Sequence, residues 1–236
     1  MMLETLHRTS EDIFQGLVDS GAAGPVAVAV TDPRREYTGA FPAEIDELPR
    51  AVDKRRREYI AGRVAAHRAM EKLGLSARPV LANRVRAPSW PRGLAGSLSH
   101  NDTTCVAAVA RAAQVRSLGI DVEDDTPLAA DLVATICTVE ERAWLATQSD
   151  PARGRLAKLI FSAKEAVYKC QYPVSHRVLD FNAVLVTPDV DTGQFEATFL
   201  ERAGPFPMHA RLDGRFAVSG GLIHTAIVLP PDAVPG

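Results

Sequence analysis

Apolar residues return every three or four positions along two long stretches of the chain, a period that predicts two long helices. In residues 49–73 the positions Tyr59, Ile60, Ala66, Ala69, Met70 and Leu73 make one packing face, and Gly74 is placed to stop the helix. In residues 154–170 Leu156, Leu159, Ile160, Ala163, Val167 and Cys170 make a second stripe. A short helix is expected at residues 11–19. Another opens at Thr138, which forms a capping-box pair with Glu141, and runs through Trp144. Strands are expected at residues 25–31, 103–110, 117–123, 183–187, 195–199, 215–219 and 222–229, with Gly193 and Gln194 suited to the turn before 195. Residues 78–101, rich in Pro, Gly and Ser, read as an ordered loop in which Trp90 and Leu94 supply something to bury. No repeat and no low-complexity linker interrupts this order. It predicts an α+β protein of two closely packed halves, residues 1–114 and 115–236, meeting near Gln114.

Composition narrows the function classes. The 236 residues hold 27 Lys and Arg against 29 Asp and Glu, a net charge of −2, which argues against a basic nucleic-acid-binding surface and a charged disordered tail. Residues 1–17 carry Glu4, Glu11 and Asp12 and lack the apolar run of a signal peptide. No uncharged segment approaches the ~20 residues that span a bilayer. A cytoplasmic location is expected. Cys105, Cys137 and Cys170 are odd in number, far apart and without CxxC spacing, so they read as small buried hydrophobes.

Four segments carry candidate chemistry. In Gly119-Ile120-Asp121-Val122-Glu123 the strand period puts both carboxylates on one face, about 7 Å apart. Two such charges repel unless a cation intervenes, and a hard divalent ion such as Mg²⁺ suits oxygen ligands. A solvated strand end running into Asp124 and Asp125 has the same pattern. In Phe161-Ser162-Ala163-Lys164-Glu165-Ala166-Val167-Tyr168-Lys169, Glu165 and Lys169 share a helix face away from the apolar stripe, which also describes a surface ion pair. Arg55, Tyr59 and Arg63 fall on one helical ridge about 12 Å long. Two guanidinium forks there suit phosphate, although a basic run is also a common solvated face. The loop Gly96-Ser97-Leu98-Ser99-His100 offers amides, hydroxyls and an imidazole to an anion.

In order and spacing these segments resemble the 4′-phosphopantetheinyl transferase superfamily, of the monomeric surfactin/enterobactin-synthetase type. The resemblance lies in Trp90-Pro91-x-Gly93-x-x-Gly96-Ser97-Leu98-Ser99-His100, in Gly119-Ile120-Asp121-Val122-Glu123, in Phe161-Ser162-x-Lys164-Glu165-Ala166-x-x-Lys169, and in the basic helix from Arg55 to Arg63. Relatives often carry a Lys or Arg shortly before the Trp-Pro pair, and here Arg84 and Arg86 are both candidates.

The resemblance implies two pseudo-symmetric α+β subdomains, each a small, mainly antiparallel sheet with a long packed helix, and coenzyme A in the cleft between them. It implies transfer of the 4′-phosphopantetheine arm to a serine of an apo acyl or peptidyl carrier protein, with release of adenosine 3′,5′-bisphosphate. Arg55, Arg63, Ser99 and His100, with Arg84 or Arg86, would hold the coenzyme, and Lys164 and Lys169 its diphosphate. Asp121, Glu123 and Glu165 would hold Mg²⁺, or Mn²⁺. Glu165 is the candidate base, acting directly or through a metal-bound water, with Asp121 and Lys169 also catalytic. Asp121 is expected at the cleft and outside the core, so that its loss spares the fold. An apolar patch with basic neighbours in residues 124–150 is expected to meet the carrier, with no nucleic-acid or membrane partner and a monomeric state. Two other classes share these features: a different Mg²⁺-dependent phosphotransferase, which should carry a glycine-rich nucleotide loop that this chain lacks, and a non-catalytic coenzyme A or carrier-binding module, which should have lost a metal carboxylate.

Overall fold

Strict alternation in one strand organises the molecule, whose computed structural model describes residues 8–21, 24–48 and 52–233. That strand is β6, Ser117–Asp124. Its even positions Leu118, Ile120 and Val122 join an apolar core with Phe14, Val26, Val28, Val106 and Ala108. Its odd positions Gly119, Asp121 and Glu123 face the other way, as the period of two requires.

The remaining elements follow in chain order: α1 Ser10–Asp19, β1 Val26–Thr31, α2 Pro42–Ile45, α3 Asp53–Lys72, β2 Leu81–Ala82, β3 Pro88–Ser89, β4 Leu94–His100 and β5 Cys105–Arg111. After β6 come α4 Ala130–Ile136, α5 Val139–Ala146, α6 Asp150–Ser175, a 3₁₀ turn Phe181–Ala183, β7 Val184–Asp189, β8 Gln194–Phe199, β9 Arg211–Ser219 and β10 Leu222–Leu229. Two antiparallel sheets result, one ordered β1-β5-β4 and the other β6-β10-β9-β8-β7, with a small β2-β3 hairpin beside them.

Each larger sheet carries one long helix. Helix α3 lays Ala65, Ala66, Ala69 and Met70 on Ala27, Ala29, Ala107 and Val109 of β1 and β5. These alanines leave no bulk between helix and sheet. Helix α6 buries Ala157, Leu159, Ile160, Ala163, Val167 and Cys170 against the five-stranded sheet. Of the stripe read from the sequence, all but Leu156, which is partly buried, lie in this core, and the α+β class with two helix-on-sheet units holds. The helix runs past both expected ends, with Pro151 near its start, where a missing N–H costs nothing, and His176 in the left-handed region at its end.

Several expectations need correction. The stretch read as an ordered loop contains β4, whose Gly, Ser and Ala composition hides a strand that tertiary contacts hold. Gly96 is required there because a Cβ would lie 2.6 Å from the Trp90 ring. Helices α2 and α4 and the β2-β3 hairpin were not anticipated. The predicted start of the long basic helix at residue 49 lies outside the described residues, and the helix begins at Asp53. The capping box at Thr138 is present, with the Glu141 N–H donating to the Thr138 hydroxyl and the Glu141 carboxylate accepting from the Thr138 N–H at 2.7 Å.

The tightest approach is between β6 and α6. A Cβ on Gly119 would fall 1.9 Å from the Ala166 carbonyl oxygen, so only glycine lets the helix sit this close. Gly119→Ala should lower stability by about 3 kcal/mol, at the upper end for overpacking. Gly62→Ala, inside α3 with its nearest neighbour 4.0 Å away, should instead raise stability by about 0.5–1 kcal/mol. Urea unfolding of the two variants against the parent chain measures both.

Candidate functional site

No backbone ladder joins β4 to β6; serine hydroxyls do. The N–H of Ile120 donates to Ser97 Oγ at 3.1 Å and that of Val122 to Ser99 Oγ at 3.3 Å. This seam floors a cleft of about 1290 Å³ walled by α3 on one side and α6 on the other, with the β2-β3 hairpin at its rim.

Asp121 lies at the centre of the seam. It is 3 % exposed. Its Oδ1 accepts from Ser99 Oγ at 2.8 Å and from Lys169 Nζ at 2.6 Å, and its Oδ2 accepts from Ser162 Oγ at 2.8 Å. Thr225 of β10 extends the network by donating to the Ser162 carbonyl oxygen at 3.1 Å. The expectation that Asp121 lies outside the core is therefore corrected: it lines the cleft and also ties β4, β6 and α6 together. A buried carboxylate with three donors is costly to delete, because each donor would lose its acceptor.

The other two carboxylates are less well served. Glu123 has one cation, Lys158 Nζ, at 3.1 Å. Burial and then the Asp121 charge hold its carboxyl above its ordinary value. Glu165 lines the cleft and makes no hydrogen bond to a described residue; burial pushes its carboxyl up, Lys169 partly offsets this, and Asp121 and Glu123 push it further. Among the described residues no three acidic, His or Cys side chains close on one point.

The opposite wall sets two arginines beside Glu47 and Glu58. Arg55, Tyr59 and Arg63 all line the cleft from α3, as the ridge spacing predicts. Arg63 is 7 % exposed, its guanidinium carbon lies 3.9 Å from the Tyr59 ring centroid, and its buried Nε has no hydrogen-bond partner. His100, at the end of β4, lies 3.6 Å from Glu58; burial lowers its proton affinity, Glu58 opposes that, and Arg55 and Lys169 add to it.

Three assignments change. Ser99 lines the cleft, yet its hydroxyl is committed to Asp121, Lys169 and the Val122 amide. Lys164 is not in the cleft. It is 3 % exposed and its ammonium bonds Glu141 at 2.7 Å and the carbonyls of Ile136 and Phe181 at 2.8 Å each. The reason is geometric, since adjacent helical residues point about 100° apart. Glu165 faces the cleft, so Lys164 faces the α5 side. Between Arg84 and Arg86, only Arg86 lines the cleft, at a position of φ +66 that turns the chain. Ser97 and Ser162 stand in the segments quoted above, but their bonds to the Ile120 amide and to Asp121 were not read from them. Sequence reasoning missed Thr225 and Lys158, which do not depart from ordinary strand or helix composition. It also missed Tyr168, Tyr172 and His176, which line the α6 wall at a spacing of four.

Comparison with known proteins gives these features a family context. Residues 43–110 match a family model described as the 4′-phosphopantetheinyl transferase N-terminal domain, and residues 117–224 match one described as the 4′-phosphopantetheinyl transferase superfamily. The chain is 42 % identical over 197 residues to 4′-phosphopantetheinyl transferase Svp of Streptomyces mobaraensis, covering 82 % of this chain and 80 % of that protein. It is 36 % identical over 197 residues to 4′-phosphopantetheinyl transferase PptT of Mycobacterium tuberculosis, covering 80 % and 86 %. To enterobactin synthase component D of Salmonella typhimurium it is 38 % identical over 157 residues, covering 65 % and 63 %.

Two measurements separate structural from unsatisfied charge. Lys164→Ala strands the buried Glu141 carboxylate and should cost about 3–5 kcal/mol in chemical denaturation. Glu165 behaves oppositely. Its carboxyl is raised above the ordinary 4.5, so its contribution to stability is fully present below that value and lost as pH rises through the folded value. In cation-free buffer the stability of Glu165→Gln relative to the parent chain should thus be flat at low pH and climb above it, measured by unfolding from pH 4 to pH 8.

Proposed function

The chain belongs to the 4′-phosphopantetheinyl transferase superfamily, and from that premise we propose that it transfers the 4′-phosphopantetheine arm of coenzyme A to a serine hydroxyl of an apo acyl or peptidyl carrier protein. The reaction breaks the diphosphate and releases adenosine 3′,5′-bisphosphate. The observation that carries the reading is the buried Arg63, whose Nε is without a partner across the cleft floor from an acidic cluster. A buried cation without its bond is costly unless an anion completes it. The 3′-phosphate of coenzyme A is such an anion.

In this reading Arg55, Arg63 and His100 hold the 3′-phosphate and Arg86 completes the first-half side, while residues 115–236 supply the acidic half. The chemistry of the donors, hard carboxylate oxygens, suits Mg²⁺ or Mn²⁺, which would be held by one or two of them since the three do not close on one point and Asp121 is already bonded to Ser99, Ser162 and Lys169. Asp121, Glu123 and Glu165 offer hard oxygens with too little cation among them, and Mg²⁺ ordinarily takes only one or two carboxylates together with substrate phosphates. When bound, the ion supplies Lewis-acid stabilisation of the diphosphate charge. Lys169, already on Asp121, adds a fixed positive charge beside the departing phosphate. Glu165 is the base: its raised proton affinity suits it to take the proton of the carrier serine as that oxygen attacks the β-phosphorus.

Leu132 and Val139 are exposed large apolar residues on α4 and α5 and support carrier docking on residues 124–150. No helix among the described residues is long and apolar enough to cross a membrane. A monomer acting in the cytoplasm, without nucleic acid, completes the proposal. A non-catalytic coenzyme-binding module is disfavoured because all three carboxylates are present.

Incubation of the protein with an apo carrier protein, coenzyme A and Mg²⁺ should add one phosphopantetheine to the carrier by mass spectrometry, and Asp121→Asn should abolish this. Titration should also show Mg²⁺ and coenzyme A each tightening the other by one common factor, as linkage requires. Coenzyme affinity indifferent to Mg²⁺ would remove the shared metal site from the reading.

A further inference from the structure

A carboxylate stands one side chain removed from the buried arginine of the cleft. Glu47 follows α2 and lines the same wall. Its two carboxylate oxygens accept from the Ala82 N–H at 2.8 and 3.0 Å, and Oε2 also accepts from the Tyr59 hydroxyl. The Tyr59 ring in turn lies against the Arg63 guanidinium. Burial and the bond to Glu47 push the Tyr59 hydroxyl up to about 12, so the phenol stays neutral.

This relay solves a conflict of charge. A carboxylate in direct contact with Arg63 would fix the side chain but neutralise it, leaving little attraction for a phosphate. Interposing a neutral tyrosine lets Glu47 lock the ring, and the ring hold the guanidinium by its face, while the cation remains available. The β2 amide anchors the carboxylate in turn. We infer that Glu47 is a positioning residue for the 3′-phosphate of coenzyme A, acting through Tyr59 on Arg63; this rests on the reading above of Arg63 as a phosphate ligand. The segment has an independent anchor in Glu44, which is fully buried and accepts from the N–H groups of Phe41 at 2.8 Å and Val80 at 2.7 Å, with His67 Nε2 at 3.0 Å. Loss of Glu47 therefore leaves the segment held.

The test compares Glu47→Ala, Tyr59→Phe, Arg63→Ala and the Glu47→Ala/Arg63→Ala double variant, each checked by thermal unfolding, with coenzyme A and dephospho-coenzyme A as substrates and a saturating apo carrier protein. Glu47→Ala should raise KM for coenzyme A about tenfold, with a smaller change in kcat, and should shrink the preference over dephospho-coenzyme A by the same factor. Tyr59→Phe, which keeps the ring and removes only the hydroxyl, should reproduce the lost preference. On top of Arg63→Ala the Glu47 change should add little. Equal effects on both substrates, a full additional loss in the double variant, or an intact preference in Tyr59→Phe would each overturn the inference. If Arg63→Ala alone fails to distinguish the two substrates, the phosphate assignment of Arg63 falls, a failure that is visible without any Glu47 variant and takes the inference with it.

Discussion

The molecule depends on one buried carboxylate satisfied by donors from separate elements. Asp121 draws hydrogen bonds from β4 through Ser99 and from α6 through Ser162 and Lys169. Serine hydroxyls in place of a peptide ladder join the two sheets along this line. A ladder would zip the sheets at about 4.8 Å with every polar group consumed. The serine seam meets the same demand for the Ile120 and Val122 amides while keeping polar side chains at the floor of a cleft. Structure and chemistry are then hard to separate. The same Lys169 that neutralises Asp121 in the fold stands where a diphosphate would need a cation.

This constraint explains which parts of the molecule were readable. The β6 alternation and the α6 stripe are local patterns: β6 is buried on both faces, with apolar side chains toward one core and glycine and carboxylates toward α6 and the cleft, while α6 buries one stripe. Gly119 belongs to such a pattern, and its contact with the Ala166 carbonyl gives the physical reason for glycine. The fourth strand has no such signature, since its small residues are held by contacts with Trp90 and β6 that no window of sequence contains. The resemblance places Lys164 and Glu165 in one site, but a helix separates adjacent side chains, and only Glu165 lines the cleft. Asp121 was read as a cleft residue only, since nothing in Gly-Ile-Asp-Val-Glu reveals that serines from β4 and α6 converge on it.

Both signs of charge line the cleft, which the near-neutral total conceals. Arg55 and Arg63 stand on α3, and Glu123 and Glu165 stand on β6 and α6, with Lys169 between. A net charge of −2 therefore describes a protein whose cleft gathers guanidinium groups on α3 and three carboxylates on β6 and α6, with Glu47 and Glu58 beside the former and Lys169 beside the latter. Such a cleft favours a long ligand with anionic groups at separate points, one met by guanidinium and one met with a counter-ion. It disfavours a polyanion that would have to pass the acidic wall along its length.

The buried charges of this chain divide by whether the fold completes them. Lys164 with Glu141, and Glu44 with two backbone amides and His67, are fully bonded, far from solvent, and bind elements together. Arg63 keeps a buried Nε without a partner, and Glu165 keeps a raised proton affinity with no hydrogen bond among the described residues. The buried Nε of Arg63 costs free energy that a bonded substitute would not, whereas Glu165 is only partly buried and its carboxylate opens onto the cleft. Both residues line one cleft. In the proposed reading a phosphate-bearing ligand would complete Arg63 and its cation would meet Glu165, across the floor that the serine seam holds.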